Sequence, residues 1–218
     1  MRVVIAGGHG KIAKLLERDL AGRGDHAVGL IRNPDHAAVL RAAGAEPVVC
    51  DLEHSDVDTL AGHLAGADAV IFAAGAGPGS GAARKDTVDR AAAVLLADAA
   101  RAGVRRYLLV SSMGVDNPPA PGSDEVWAAY LRAKKAAEEE VTGRDLDVTV
   151  LRPGRLTDDE PGGRITLARH VARGAVSRAD VAHVLLALLD EPATAGLTLE
   201  LVGGDTPIGE AVRAVTAR

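Results

Sequence analysis

Aromatic residues are almost missing from this chain: one Phe, one Trp and two Tyr make up 2% of 218 residues. A core for a domain of this length must therefore be built from Ala, Val, Leu and Ile. Cys50 is the only cysteine, which excludes a disulfide framework and fits a reducing compartment. An excess of positive charge is absent too, with 25 Lys and Arg against 30 Asp and Glu. No basic run reaches five residues, so nucleic acid is not an expected partner. No apolar stretch approaches the roughly 20 residues that span a bilayer. Gly7 interrupts the first apolar run too early for a signal peptide, and a cytoplasmic protein without a membrane partner is expected. Seven histidines are scattered without an H-E-x-x-H pattern, so no metal site is expected.

What is present is an alternation of short apolar runs and amphipathic stretches. Strands are expected at Val3–Ala6, His26–Ile31, Glu46–Cys50, Ala69–Ala73, Arg106–Ser111, Asp147–Leu151 and Leu197–Val202. Helices are expected from about Ile12 to Leu20, then at Pro34–Ala43 behind an Asn33 cap, Asp56–Ala65 behind Ser55, Arg84–Ala102, Glu125–Thr142 and Arg178–Leu189, with a short one after Pro207. Such alternation implies right-handed βαβ units. Runs such as Val70-Ile-Phe72 and Leu108-Leu-Val110 lack a polar face, as strands covered on both sides do. The expectation is a single α/β domain over residues 1–218, a doubly wound and mainly parallel sheet with helices on both faces.

Loop lengths locate the ligand edge. Helix-to-strand connections are short, whereas Gly75–Ala83, Met113–Asp124 and Pro153 to about His170 are long. All three long segments leave carboxyl ends of strands, where open α/β sheets bind ligands. Residues of about 113–124 and 153–177 are expected on the substrate side, the latter as a small C-terminal substrate region. At the same edge the first strand runs into Gly7-Gly8-His9-Gly10, followed by Lys11, Ile12 and Ala13. In this Gly-x-x-Gly-x-x-Ala turn, Gly7 takes the turn dihedrals, Gly10 admits a phosphate to the backbone, and Ala13 lets helix and strand pack closely. A helix N-terminus then meets a pyrophosphate. His9 and Lys11 add positive potential.

The second strand ends in Arg32, where an NAD site places an acid on the ribose 2′-hydroxyl. A guanidinium there suits a 2′-phosphate, so NADP(H) is favoured over NAD(H). Asp51 and Leu52 fall where an adenine would lie. Ala73, Ala74 and Gly75 are small enough to let a cofactor approach the fourth strand.

Tyr130 and Lys134 form Tyr-x-x-x-Lys, one helix face by spacing. A nearby ammonium favours a phenolate, which equips Tyr130 to exchange a proton with a carbonyl or alcohol. Lys134 is also suited to hold the nicotinamide ribose. Either Ser111 or Ser112, at the end of the fifth strand, would polarise the same oxygen. Trp127 either lines this pocket or packs its loop. Cys50 is read as a buried small residue, and Glu138-Glu-Glu140 as an exposed face.

Taken in order, Gly7-x-x-Gly10-x-x-Ala13, Arg32, Asp51-Leu52, Ala73-Ala74-Gly75, Val110-Ser111-Ser112, Tyr130-x-x-x-Lys134 and Leu151-Arg-Pro153-Gly154 resemble the short-chain dehydrogenase/reductase superfamily in its small atypical NAD(P)H-binding, epimerase/dehydratase-like branch. Ser177-Arg178-Ala-Asp180-Val181-Ala182 and Gly203-Gly204-Asp205-Thr206-Pro207-Ile208 extend the resemblance to the C-terminus. It implies a Rossmann-like fold, Pro153 beside the nicotinamide carboxamide, Asp89 near the active site, and compatibility with a homodimer through the helices after strands four and five. The expected function is hydride transfer from NADP(H) to a small carbonyl, quinone or flavin-like acceptor. The alternatives are an NADP(H)-binding redox sensor without turnover and a nucleotide-sugar epimerase or dehydratase.

Overall fold

The structure is a computed structural model that describes residues 1–77, 79–117 and 124–217. Its first half is β1 (Arg2–Ala6), α1 (Lys11–Gly22), β2 (His26–Ile31), a 3₁₀ turn (Pro34–His36), α2 (Ala37–Ala42), β3 (Glu46–Val49), α3 (Val57–Leu64), β4 (Ala69–Phe72), α4 (Ala82–Arg84), a π-helical stretch (Lys85–Ala91), α5 (Ala92–Ala100) and β5 (Arg106–Val110). The second half is α6 (Glu125–Thr142), β6 (Asp147–Pro153), β7 (Arg155–Thr157), β8 (Arg164–Ala168), β9 (Ala175–Ser177), α7 (Arg178–Leu189), a 3₁₀ turn (Pro192–Thr194), β10 (Thr198–Gly203), β11 (Thr206–Pro207) and α8 (Ile208–Ala214).

Among the described residues, nine strands form one sheet in the order β11-β8-β10-β6-β5-β4-β1-β2-β3. The stretch from β10 to β3 is parallel throughout, and β8 and β11 add antiparallel pairs at the far edge. The expected Rossmann-like, doubly wound α/β sheet is therefore present. Strand order reverses between β1 and β4, so the crevice outside their carboxyl ends is the topological switch point. One face buries Leu16, Leu20, Leu185 and Leu188 from α1 and α7. The other buries Leu60, Leu64, Leu96 and Val141 from α3, α5 and α6.

Several boundaries differ from the sequence expectation. The segment from Pro153 to His170 is not one loop: β6 runs on to Pro153, β7 pairs with β9 in a separate two-stranded sheet, and β8 pairs with β10. The helix expected over Arg84–Ala102 is divided by the π-helical stretch. The cap of α3 is Asp56, which accepts from the Thr59 N–H at 2.8 Å, rather than Ser55. Residues 118–123 of the expected substrate-side loop lie outside the described residues.

Glu138 corrects the reading of Glu138-Glu-Glu140 as exposed. It is buried and accepts the Arg152 Nε–H at 2.9 Å, and Asp116 holds the other side of the same guanidinium. This group clamps α6 to β6 just before Pro153. Glu138→Gln leaves a buried guanidinium with half its counter-charge and should cost about 3 kcal/mol. The expected result is a lower denaturation midpoint at unchanged slope in urea.

Candidate functional site

The glycine turn has the shape its sequence suggests. Gly7 sits at φ +84, and a Cβ there would lie 2.6 Å from Ala74 Cα, so no side chain fits between β1 and β4. Gly8 is close-packed for another reason: a Cβ would come within 2.9 Å of Glu17 Oε1, which occupies the space beneath the turn. The Gly10 N–H closes the turn on Gly7 O at 2.8 Å.

Helix α1 starts with no side-chain cap and no acid in its first turn. Helices α3, α6 and α7 are all capped, by Asp56, Asp124 and Ser177. The amides left open at α1 and the positive end of its dipole suit a pyrophosphate. A hollow of about 300 Å³ lined by Gly7, His9, Gly10, Arg32 and Ala73–Gly75 fits the same account. The residues present therefore fit a dinucleotide.

Other predicted cofactor residues stand as follows. Arg32 is exposed at the end of β2, 3.3 Å from Glu53, which also holds Arg84 and accepts from Thr87 at 2.7 Å. These donors keep the Glu53 carboxyl below the usual range. Asp51 accepts from the Glu53 N–H at 3.0 Å, and Leu52 packs against the core. The His9 ring stacks on His36 at 3.5 Å. Ile12 lines the second cleft described below, whereas the Lys11 side chain turns away to Asp158 at 2.6 Å.

That cleft, of about 640 Å³, joins the ends of β4, β5 and β6 to the first turns of α6. It brings together Ala73, Ala74, Gly75, Ser111, Ser112, Tyr130, Lys134 and Pro153, which are 80 residues apart in the chain at the extremes. Lys134 is buried, donates to Val110 O at 3.0 Å, lies 3.4 Å from Asp89, and sits 5.9 Å from the Tyr130 ring centroid. Asp89 is fully buried and accepts from the Ala76 N–H at 3.2 Å. The serines differ: Ser112 donates to Met113 O at 3.1 Å, whereas the buried Ser111 hydroxyl has no partner among the described residues. Trp127 stacks on Tyr130 with centroids 5.2 Å apart and stays 48% exposed at the rim.

Sequence reasoning passed over Lys85. It is buried on the π-helical stretch, donates to Gly77 O at 2.9 Å and lies 5.5 Å from the Tyr130 ring centroid. The only signal was its place four residues before Asp89, one helix turn away. Cys50 is buried as expected, and burial pushes its thiol up, away from reactivity.

A parallel sheet with an uncapped glycine turn at its switch point is the Rossmann-like arrangement that suits a dinucleotide. A sequence model of the NAD(P)H-binding family matches residues 7–192, and the chain belongs to that family. It is 35% identical over 215 residues to the uncharacterized sugar epimerase YhfK of Bacillus subtilis, covering 98% of this chain and 99% of that one. Among solved structures, one from Bacillus halodurans named for the NAD-dependent epimerases/dehydratases is 35% identical with a TM-score of 0.90, covering 98% and 99% of the two chains. The oxidoreductase ylbE of Lactococcus lactis is 26% identical with a TM-score of 0.84, covering 99% and 96%.

Proposed function

We propose that this protein is an NADP(H)-dependent oxidoreductase that delivers hydride to a small carbonyl, quinone or flavin-like acceptor. The observation that carries this reading is one cleft in which Tyr130, Lys134 and the Ser111 hydroxyl, without a partner among the described residues, meet beside the small residues that end β4. A bound reduced nicotinamide supplies the hydride. For a carbonyl acceptor, the new C–H bond sends the C=O π pair to oxygen, and Tyr130 gives that oxygen its phenolic proton. Ser111 donates a hydrogen bond to the same oxygen, which places the charge-stabilising donor where charge develops. Lys134, its position fixed by Asp89, would hold the nicotinamide ribose. Pro153, which lines the cleft, would wall the carboxamide end.

The test is NADPH oxidation by the purified protein against a panel of carbonyls, quinones and flavins. Turnover with one acceptor class supports the reading. Tight NADPH binding without turnover overturns it in favour of a sensor, and isomerised sugar nucleotide with no net NADPH consumed points to an epimerase.

The preference for NADP(H) rests on Arg32 at the end of β2. Arg32→Ala should weaken NADPH binding by about 10- to 100-fold, the loss of a charged hydrogen bond worth roughly 1.5–3 kcal/mol, while NADH affinity changes by less than about twofold. Titration of both nucleotides by reduced-nicotinamide fluorescence checks this, and equal losses for the two would remove Arg32 from the 2′-phosphate site.

A further inference from the structure

The two lysines of the cleft differ in how their charge is balanced. Lys134 already has a counter-charge in Asp89 at 3.4 Å and a carbonyl acceptor in Val110. Lys85 is only 7% exposed, yet its one partner among the described residues is the uncharged carbonyl of Gly77. An ammonium withdrawn from water without a counter-charge is strongly unfavourable. The other carboxylate lining the cleft, Asp124, is occupied as the cap of α6, accepting from the Val126 and Trp127 N–H groups. Arg155 adds an exposed guanidinium at the rim with no carboxylate against it among the described residues. In a chain of net charge −5, this cleft thus carries surplus positive charge.

We propose that Lys85 is the docking point for an oxyanion, such as a carboxylate, on the molecule that fills this cleft, and that this molecule is flat and conjugated. The oxyanion supplies the counter-charge that the protein withholds from Lys85. Because Lys85 Nζ lies 5.5 Å from the Tyr130 ring centroid, a group bound there sets the rest of the molecule against the Trp127–Tyr130 stack. Stacking on the half-exposed indole selects a planar ligand. Lys85 is thereby a substrate-binding residue, and the acceptor class narrows to aromatic or conjugated acids.

Trp127 is the only tryptophan, so quenching of its fluorescence reports on this cleft alone. The probes are 4-nitrobenzoate and its neutral isostere 4-nitrobenzamide, titrated with saturating NADP⁺. The wild-type protein is expected to bind the benzoate at least about tenfold more tightly than the amide, a preference that falls as salt rises. Lys85→Met should reduce that preference to within about twofold by weakening only the benzoate, and Lys85→Arg should keep it. Equal wild-type affinities, or a preference that survives Lys85→Met, overturn the proposal. So does a tenfold loss of NADP⁺ affinity in Lys85→Met, which would make Lys85 a cofactor ligand. The wild-type comparison and its salt dependence stand even if the Met variant folds poorly.

That the ligand is a hydride acceptor rests on the oxidoreductase reading. A Lys85-dependent anion preference in a protein that oxidises no NADPH keeps the site and sinks that reading. NADPH turnover with an anion preference independent of Lys85 does the reverse.

Discussion

Replacing Tyr130 by Phe should lower NADPH-dependent carbonyl reduction by about 10²- to 10⁴-fold, the usual worth of a positioned general acid, and leave NADPH affinity within about twofold. The substitution removes one hydroxyl from a half-buried ring. That ring packs against Trp127 and lies under two ammonium groups, and none of these contacts needs the oxygen. The proposed cofactor cradle centres on the glycine turn and the open first turn of α1, which do not touch the Tyr130 hydroxyl. A loss confined to turnover therefore isolates the proton donor. Parallel measurement of kcat and of NADPH affinity decides the matter: full turnover in Tyr130→Phe removes Tyr130 from proton transfer, as when hydride passes directly to a flavin or quinone.

The second large effect concerns stability. Glu17 lies on α1 beneath the glycine turn, fully buried, and neither carboxylate oxygen has a hydrogen-bond partner among the described residues. Burial pushes its carboxyl up to about 8, opposed only in part by Lys14. The native state thus keeps the proton at pH values where the unfolded chain, with an ordinary value of 4.5, has released it. The contribution of Glu17 to stability is complete below about pH 4.5 and is lost as pH rises through the interval to about 8. The full loss is of the order of 5 kcal/mol.

Glu17→Gln stays neutral throughout and should flatten the dependence of stability on pH across that interval. At pH 9 it should be more stable than wild type by about 2 kcal/mol, or roughly 6 °C in Tm. Melting curves from pH 5 to 9 check this, and parallel pH profiles for the two proteins would show that Glu17 is ionised in the folded state. The same group explains a local sequence choice: a Cβ at Gly29 would lie 2.6 Å from Glu17 Oε1, so the turn and β2 leave room for the carboxyl by omitting side chains.

Much of the architecture was legible because local signals agreed. Helices α6 and α7 begin after Asp124 and Ser177 and end where the pattern ends, since capping and amphipathic spacing are properties of adjacent residues. Gly7, Gly10 and Ala13 marked the tight turn after β1 because such a turn restricts side-chain size within a few residues. Tyr130 and Lys134 were readable as a pair because one helix turn joins them.

The misreadings all depend on distant partners. Ile165 and Leu167 alternate with exposed Arg164 and Thr166, yet β8 exists because β10 pairs with it some 35 residues later, as in Leu167 opposite Leu201. Glu138 looked like one of three solvated acids until Arg152, arriving on β6, turned it into a buried ion pair. By itself the sequence determined the α/β class, the glycine turn after β1 and the placing of Tyr130 and Lys134 one helix turn apart, since each is written in residues close together along the chain. Only the tertiary structure decided which charges are compensated. Asp89 answers Lys134 and leaves Lys85 without a carboxylate among the described residues, because the counter-ion of a buried group is set by what folding brings within a few ångströms of it.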